Sequence, residues 1–266
     1  MKNKARIGTS GFGIARSKYV QLFSCVEVQH TFYQPPKIAT LERWREDAPP
    51  DFEFVLKAWQ LITHDAKSPT YRRLKRKLSE FEKQEAGYFR STGIVKEAWE
   101  VTRACARALA ARTILFQCPA SFKQTKENIS NLEKFFGNIN RENSGEQLSF
   151  CWEPRGDWEP KLVKSICKTL NLWHAVDPFK AESVTPGRLY FRLHGKGGWR
   201  YEYEEAELRE LAGLLISAGA EPAADPPSQV VSPPGVVDAN ETPYIFFNNA
   251  RMTQDALRFH ALTEDS

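Results

Sequence analysis

Short apolar runs punctuate this chain, each bounded by turn chemistry or by a helical stretch. Eight of them read as strands: Arg6–Ser10, Val26–His30, Phe52–Ala58, Thr113–Pro119, Leu148–Pro154, Leu172–Pro178, Leu189–His194 and Tyr244–Asn249. Ile-Leu-Phe at 114–116 and Tyr-Ile-Phe-Phe at 244–247 are apolar on both faces, as parallel strands covered on both sides are.

Amphipathic helices are predicted between most of these runs. Ile129, Leu132, Phe135 and Phe136 make one apolar face, and Leu162, Val163, Ile166, Cys167 and Leu170 another. Leu208, Leu211, Leu214 and Leu215 make a third, and the longest stripe runs from Val95 through Ala98, Val101, Thr102 and Cys105 to Leu109. Met252, Ala256 and Phe259 mark the last helix. This alternation predicts one α/β domain over residues 1–266, a (β/α)8 TIM-type barrel of parallel strands. An open doubly wound sheet is the alternative, because alternation does not show closure. Thr70–Lys77 reads as a basic helical run, Gln84–Gly93 as a loop breaking the third connection, and Gly219–Thr242, rich in Pro and Ala, as an exposed excursion.

With 41% hydrophobic and 12% aromatic residues the chain can bury a large core, and its net charge of +4 neither demands nor excludes an anionic partner. No apolar run is long enough to span a bilayer. Met1–Arg6 is polar and leads straight into a strand, unlike a signal peptide. The five cysteines are scattered and lack a C-x-x-C pair, so they read as reduced, buried thiols and point to the cytoplasm.

The polar residues carry the functional information. Glu27, Lys57, Gln117, Glu153, Arg155, Asp177, Arg192, His194, Asn248 and Asn249 all fall at or near the C-terminal ends of the expected strands, where barrel enzymes build their active sites. Glu153 and Arg155 share a strand face, as do Arg192 and His194. One reading is a structural salt-bridge network that plugs the barrel top. The other is a site whose cations, Lys57, Arg155 and Arg192, suit a phosphate or carboxylate.

GTSGFG at 8–13, VEVQHTFYQPP at 26–36, FEFVLKAWQLITH at 52–64, ILFQCPASF at 114–122, WEPRGDW at 152–158, YFRLHG at 190–195 and FFNN at 246–249 together resemble the YecE-like family, the domain of unknown function numbered seventy-two. The resemblance covers almost the whole chain in the family's order. It implies a TIM-type barrel but supplies no activity, and it carries the family motif positions onto Tyr33, His64 and Trp158 besides the residues above. This chain has Phe12 where a tryptophan is usual and Gly156 where a histidine is common.

Acid–base catalysis on a small anionic substrate, a phosphorylated sugar or nucleotide-like compound, is the function expected. Glu27, Glu153 and His194 would exchange protons, and Lys57, Gln117, Arg155, Arg192, Asn248, Tyr33 and His64 would bind. Neither cofactor nor metal is expected, since the five histidines show no H-x-x-H or H-x-x-x-H spacing. The rival function is a non-catalytic nucleic-acid-binding module using the basic run at 71–77, although such a run is more often a solvated helix face. Reading the site as accessible also predicts that Glu153→Gln and Arg192→Ala fold with little loss of stability.

Overall fold

The computed structural model describes residues 5–139, 141–143, 145–219 and 242–264. Its eight long-range strands are β1 Arg6–Thr9, β2 Cys25–Val28, β3 Glu53–Lys57, β4 Thr113–Gln117, β5 Ser149–Glu153, β6 Leu172–Val176, β7 Tyr190–Leu193 and β8 Tyr244–Phe247. Each sits inside or overlaps one of the runs anticipated from the sequence. All pair in parallel, in the order β1-β8-β7-β6-β5-β4-β3-β2. A parallel bridge between Ser10 and Glu27 then joins the two ends of this order. The sheet is therefore a nearly closed TIM-type barrel with helices between its strands, not an open sheet.

Side-chain alternation divides the apolar residues into two cores. Cys25, Val55, Leu115, Cys151, Trp173, Ala175, Tyr190, Tyr244 and Phe246 pack together inside the barrel. Their neighbours in sequence, such as Val26, Ile114, Phe116, Phe150, Trp152, Ile245 and Phe247, face the helices in the larger outer core. The lumen is thus filled with side chains, as a small barrel requires. Gly93–Ala108 and Lys126–Asn138 are the helices that cover β4 and β5. There Trp99, Phe135 and Phe136 pack edge-on against Phe116 or Phe150 with ring centroids 5.0–5.8 Å apart.

Three expectations shift. The second strand stops at Val28, because His30–Tyr33 turns into a short helix tied down by Thr31 Oγ1, which donates to Val28 O and Lys57 O. The basic run is a 3-10 turn, Pro69–Arg73, not a full helix. A capped helix, Glu80–Glu85, occupies the start of the loop expected at 84–93. The predicted excursion at 219–242 falls almost wholly outside the described residues. Among the described residues no helix is long and apolar enough to cross a membrane.

The seam between β1 and β2 needs a glycine. A Cβ on Gly8 would stand 2.4 Å from the Cys25 carbonyl oxygen and 2.9 Å from its sulfur. Gly8→Ala is expected to lose about 1–3 kcal/mol in urea unfolding. Gly137→Ala, on an exposed helical position with nothing within 4 Å, should lose nothing.

Candidate active site at the barrel mouth

One turn of alternation above the apolar lumen, the inward-facing positions become polar. Glu27 follows Cys25, Lys57 follows Val55, Gln117 follows Leu115, Glu153 follows Cys151, and Arg192 follows Tyr190. The hub is Arg192, 0% exposed. Its Nε and one terminal nitrogen donate to the two oxygens of Glu27 at 2.9 and 2.8 Å, and its other terminal nitrogen donates to Glu153 Oε2 at 2.5 Å. Glu27 also accepts from Tyr190 Oη at 2.7 Å, from Ser10 Oγ at 3.0 Å, and from Gln29 Nε2. Glu153 accepts a pair of bonds from Gln117 Nε2 and a 2.9 Å ion pair from Arg155 Nε.

Burial by itself would raise the pKa of both carboxyls. The positive charge of Arg192 outweighs it, helped by Tyr190 at Glu27 and by Arg155 and His194 at Glu153, so both are held below the ordinary carboxylate range. Two carboxylates facing Arg192 hold its pKa above its usual value despite burial. Glu27 therefore does not suit the proton-transfer role expected of it: a fully enclosed, ionised carboxylate with its oxygens saturated by donors is an anchor.

Above this layer lies a more open one. Arg155, with 42% of its side chain exposed, reaches His194 Nε2 at 2.9 Å. Arg192 approaches the same atom at 3.3 Å. Guanidinium groups only donate, so Nε2 is an acceptor and the imidazole proton sits on Nδ1. Nδ1 faces Asp177 Oδ2 at 3.6 Å, and Asp177 also accepts from the His194 backbone N–H at 3.2 Å. Burial would raise the pKa of Asp177, and these His194 bonds outweigh it and lower it.

Lys57 is different in kind. Only 4% exposed, it has no carboxylate within 4 Å among the described residues; its Nζ lies over the Phe32 ring, 3.9 Å from the centroid. Burial, then the charge of Arg192, lowers its pKa to about 7, against the opposing pull of Glu27 and Glu153. His64 packs on the other side of this neighbourhood, edge-on to Phe32 at 4.9 Å. Burial, then Lys57 and Arg155, lowers its pKa to about 3, so it stays neutral.

The remaining predicted residues are less central. Tyr33 stands at the rim under the Arg73 guanidinium, 3.5 Å from its ring centroid. Asn248 is half-buried at the end of β8, where its N–H donates to Leu193 O. Asn249 turns away to Tyr201 O and Asp255. In the glycine-rich turn the Ser10 and Gly11 N–H groups donate to Phe247 O and Thr9 O. Trp152 Nε1 donates to Cys118 Sγ, whose buried thiol is pushed far up in pKa and is no nucleophile. Ser10, Gln29 and Tyr190 were not foreseen. For Tyr190 a signal existed, since it shares the strand face of Arg192 and His194. Among the described residues no group of three His, Cys, Asp or Glu side chains is placed to hold a metal ion.

A family model described as protein of unknown function DUF72 matches residues 15–265. Among solved structures, the chain is similar to a DUF72 family protein of Enterococcus faecalis V583, at 20% identity over 99% of each chain with a TM-score of 0.69. It is also similar to one of Thermotoga maritima MSB8, at 18% identity over 98% of this chain and 99% of that one, with a TM-score of 0.65. Endonuclease IV of Thermus thermophilus aligns at 12% identity over 98% of this chain and 100% of that one with a TM-score of 0.43, too distant to carry an argument. No curated protein matches the chain.

Two stability expectations come out of this geometry. The expectation that Arg192→Ala folds with little loss is overturned, because it would strand Glu27 fully buried without its counter-charge. Arg192→Met should cost about 3–5 kcal/mol in urea unfolding, and Glu153→Gln distinctly less, since Arg192 keeps its paired bonds to Glu27. Lys57, with a folded pKa of about 7, burdens the fold at low pH. Above the unfolded pKa of about 10.5 both states are neutral and the burden is absent; below about 7 it is complete. Lys57→Met should raise the Tm at pH 6, and the gain should shrink as pH climbs from about 7 towards about 10.5.

Proposed function

The chain belongs to the DUF72 family, and from the chemistry of its own barrel mouth we propose that it is an enzyme performing acid–base catalysis on a small anionic substrate. The observation that carries this reading is the stacking of a more open layer, half-buried Arg155 and His194 backed by buried Asp177, on a fully paired, buried Glu27–Arg192–Glu153 layer. The lower layer supplies rigidity. The upper one has an arginine free to leave its histidine.

The substrate's phosphate or carboxylate engages Arg155, whose planar guanidinium matches such groups with paired hydrogen bonds. Drawing Arg155 onto the ligand removes the shorter of the two contacts to His194 Nε2 and leaves only the 3.3 Å approach of Arg192; Nε2 is the proton acceptor of the reaction. Asp177 holds the tautomer and stabilises the imidazolium that forms, the role a carboxylate plays behind a catalytic histidine. Glu153 remains ionised beneath, oriented by Gln117 and Arg192, and Asn248 and Tyr33 offer polar contacts at the rim. A phosphorylated sugar or nucleotide-like compound fits this equipment. The reading sets the reaction in the cytoplasm, where five buried thiols stay reduced.

The nucleic-acid alternative would use the basic segment at 71–77, which is partly engaged within the chain. Arg76 is committed to Glu82 and Glu97, and Arg73 lies over Tyr33. Arg72, Lys75 and Lys77 remain exposed, so this rival reading keeps part of its charge and is the alternative that the ligand test must separate.

Thermal-shift measurement against a panel of phosphorylated sugars and nucleotides tests the proposal. Binding at about a hundred times Kd stabilises by about 2.7 kcal/mol, a shift of several degrees. Arg155→Ala is expected to keep the parent Tm within about 2 °C, since buried Glu153 retains Arg192 and Gln117 as partners and a partly exposed arginine contributes roughly 0–1 kcal/mol, while abolishing the ligand-induced shift. A parent protein indifferent to every anionic ligand would count against the enzyme.

A further inference from the structure

We infer that Lys57 is a nucleophilic amine that forms an iminium with a carbonyl-bearing substrate, which makes the substrate class an oxo-acid or a phosphorylated aldehyde or ketone. The inference rests on reading the mouth as an active site. It adds a covalent step to that reading and narrows its substrate.

The geometry sets Lys57 apart from every other charged group at the mouth. Glu27, Glu153, Arg192 and Arg155 satisfy one another through hydrogen-bonded ion pairs. Lys57 ends β3 on the inward-facing side, beside them, yet its ammonium lies on the face of Phe32. Thr31 holds that ring in place by bonding the carbonyl of Lys57 itself. An ammonium used only for structure would be expected to face a carboxylate, because a buried unpaired cation is costly. A buried amine crowded by guanidinium groups is instead the arrangement that makes a lysine a nucleophile at neutral pH. The groups bearing on it are Arg192, Glu27, Glu153 and Arg155, with His64 close by as a neutral imidazole.

The step balances without any further reagent. The Lys57 nitrogen lone pair attacks the carbonyl carbon, the C–N bond forms, and the π pair moves to oxygen. One amine proton and one solvent proton leave with that oxygen as water, and the other amine proton stays on the iminium. The iminium then acidifies the adjacent C–H, which gives His194 a proton to remove. Arg155 holds the substrate's anionic end.

Reductive trapping tests this on the full-length protein. Glyoxylate with cyanoborohydride at pH 7, followed by peptide mass mapping, is expected to carboxymethylate Lys57 at least about tenfold faster than any surface lysine, because a pKa of about 7 leaves much of Lys57 neutral there. Labelling at that position should vanish in Lys57→Arg, and added inorganic phosphate should slow it by competing for Arg155. Labelling spread evenly over surface lysines, or a Lys57 left unmodified, would overturn the inference. If Lys57 stays unmodified while phosphorylated ligands still raise the Tm, the covalent step falls and the acid–base reading stands. If neither response occurs, both fall.

Discussion

The buried carboxylates of Glu27 and Glu153 at the barrel mouth are held by one buried cation. Arg192 satisfies Glu27 with two parallel hydrogen bonds and Glu153 with a third, and has no contact with solvent. Removing charges from water is unfavourable by several kcal/mol per ion, and only such dense pairing offsets it. Strands β2, β5 and β7 are not all neighbours, so these bonds run across the lumen and tie separate sectors of the sheet together. The same bonds lower the pKa of both carboxylates. The layer is thus a rigid, permanently ionised floor.

That floor divides the labour of the charged residues. Glu27 is enclosed by Arg192, Tyr190, Ser10 and Gln29 and is fully buried. Arg155, His194 and Asp177 sit one layer higher, where Arg155 and His194 are only half-buried. Lys57 belongs to neither group. It is buried as deeply as the floor but takes no part in its pairing, and it carries the electrostatic cost of the neighbouring guanidinium groups. Groups that a fold keeps at a cost to its stability are where function is to be sought.

The surrounding architecture keeps this arrangement in register. Thr31 stitches the turn after β2 to the end of β3, setting Phe32 against Lys57. Tyr71 Oη donates to His64 O, and Gly87, at a φ of +80°, lets the following loop pass against that carbonyl. A Cβ there would stand 2.1 Å from the oxygen, so the close approach itself requires glycine. These contacts brace the side of the mouth that holds Lys57 and His64.

Much of the fold was written in the sequence. Period-two alternation and both-faced apolar runs located all eight barrel strands, because a barrel strand must fill a lumen on one side and meet a helix on the other. Charged residues gathered at the C-terminal strand ends likewise marked the mouth, since that is the end at which barrels assemble polar sites. What alternation does not contain is partnership. The parity of Glu27, Lys57, Glu153 and Arg192 is the same, yet three of them are locked together and one is not. Whether Thr70–Lys77 continued as a helix, and whether Gly8 met a backbone oxygen, depended equally on residues far away in the chain. Hydrogen bonds and charge compensation are set by distances of a few ångströms across the lumen, and those distances exist only after the barrel closes.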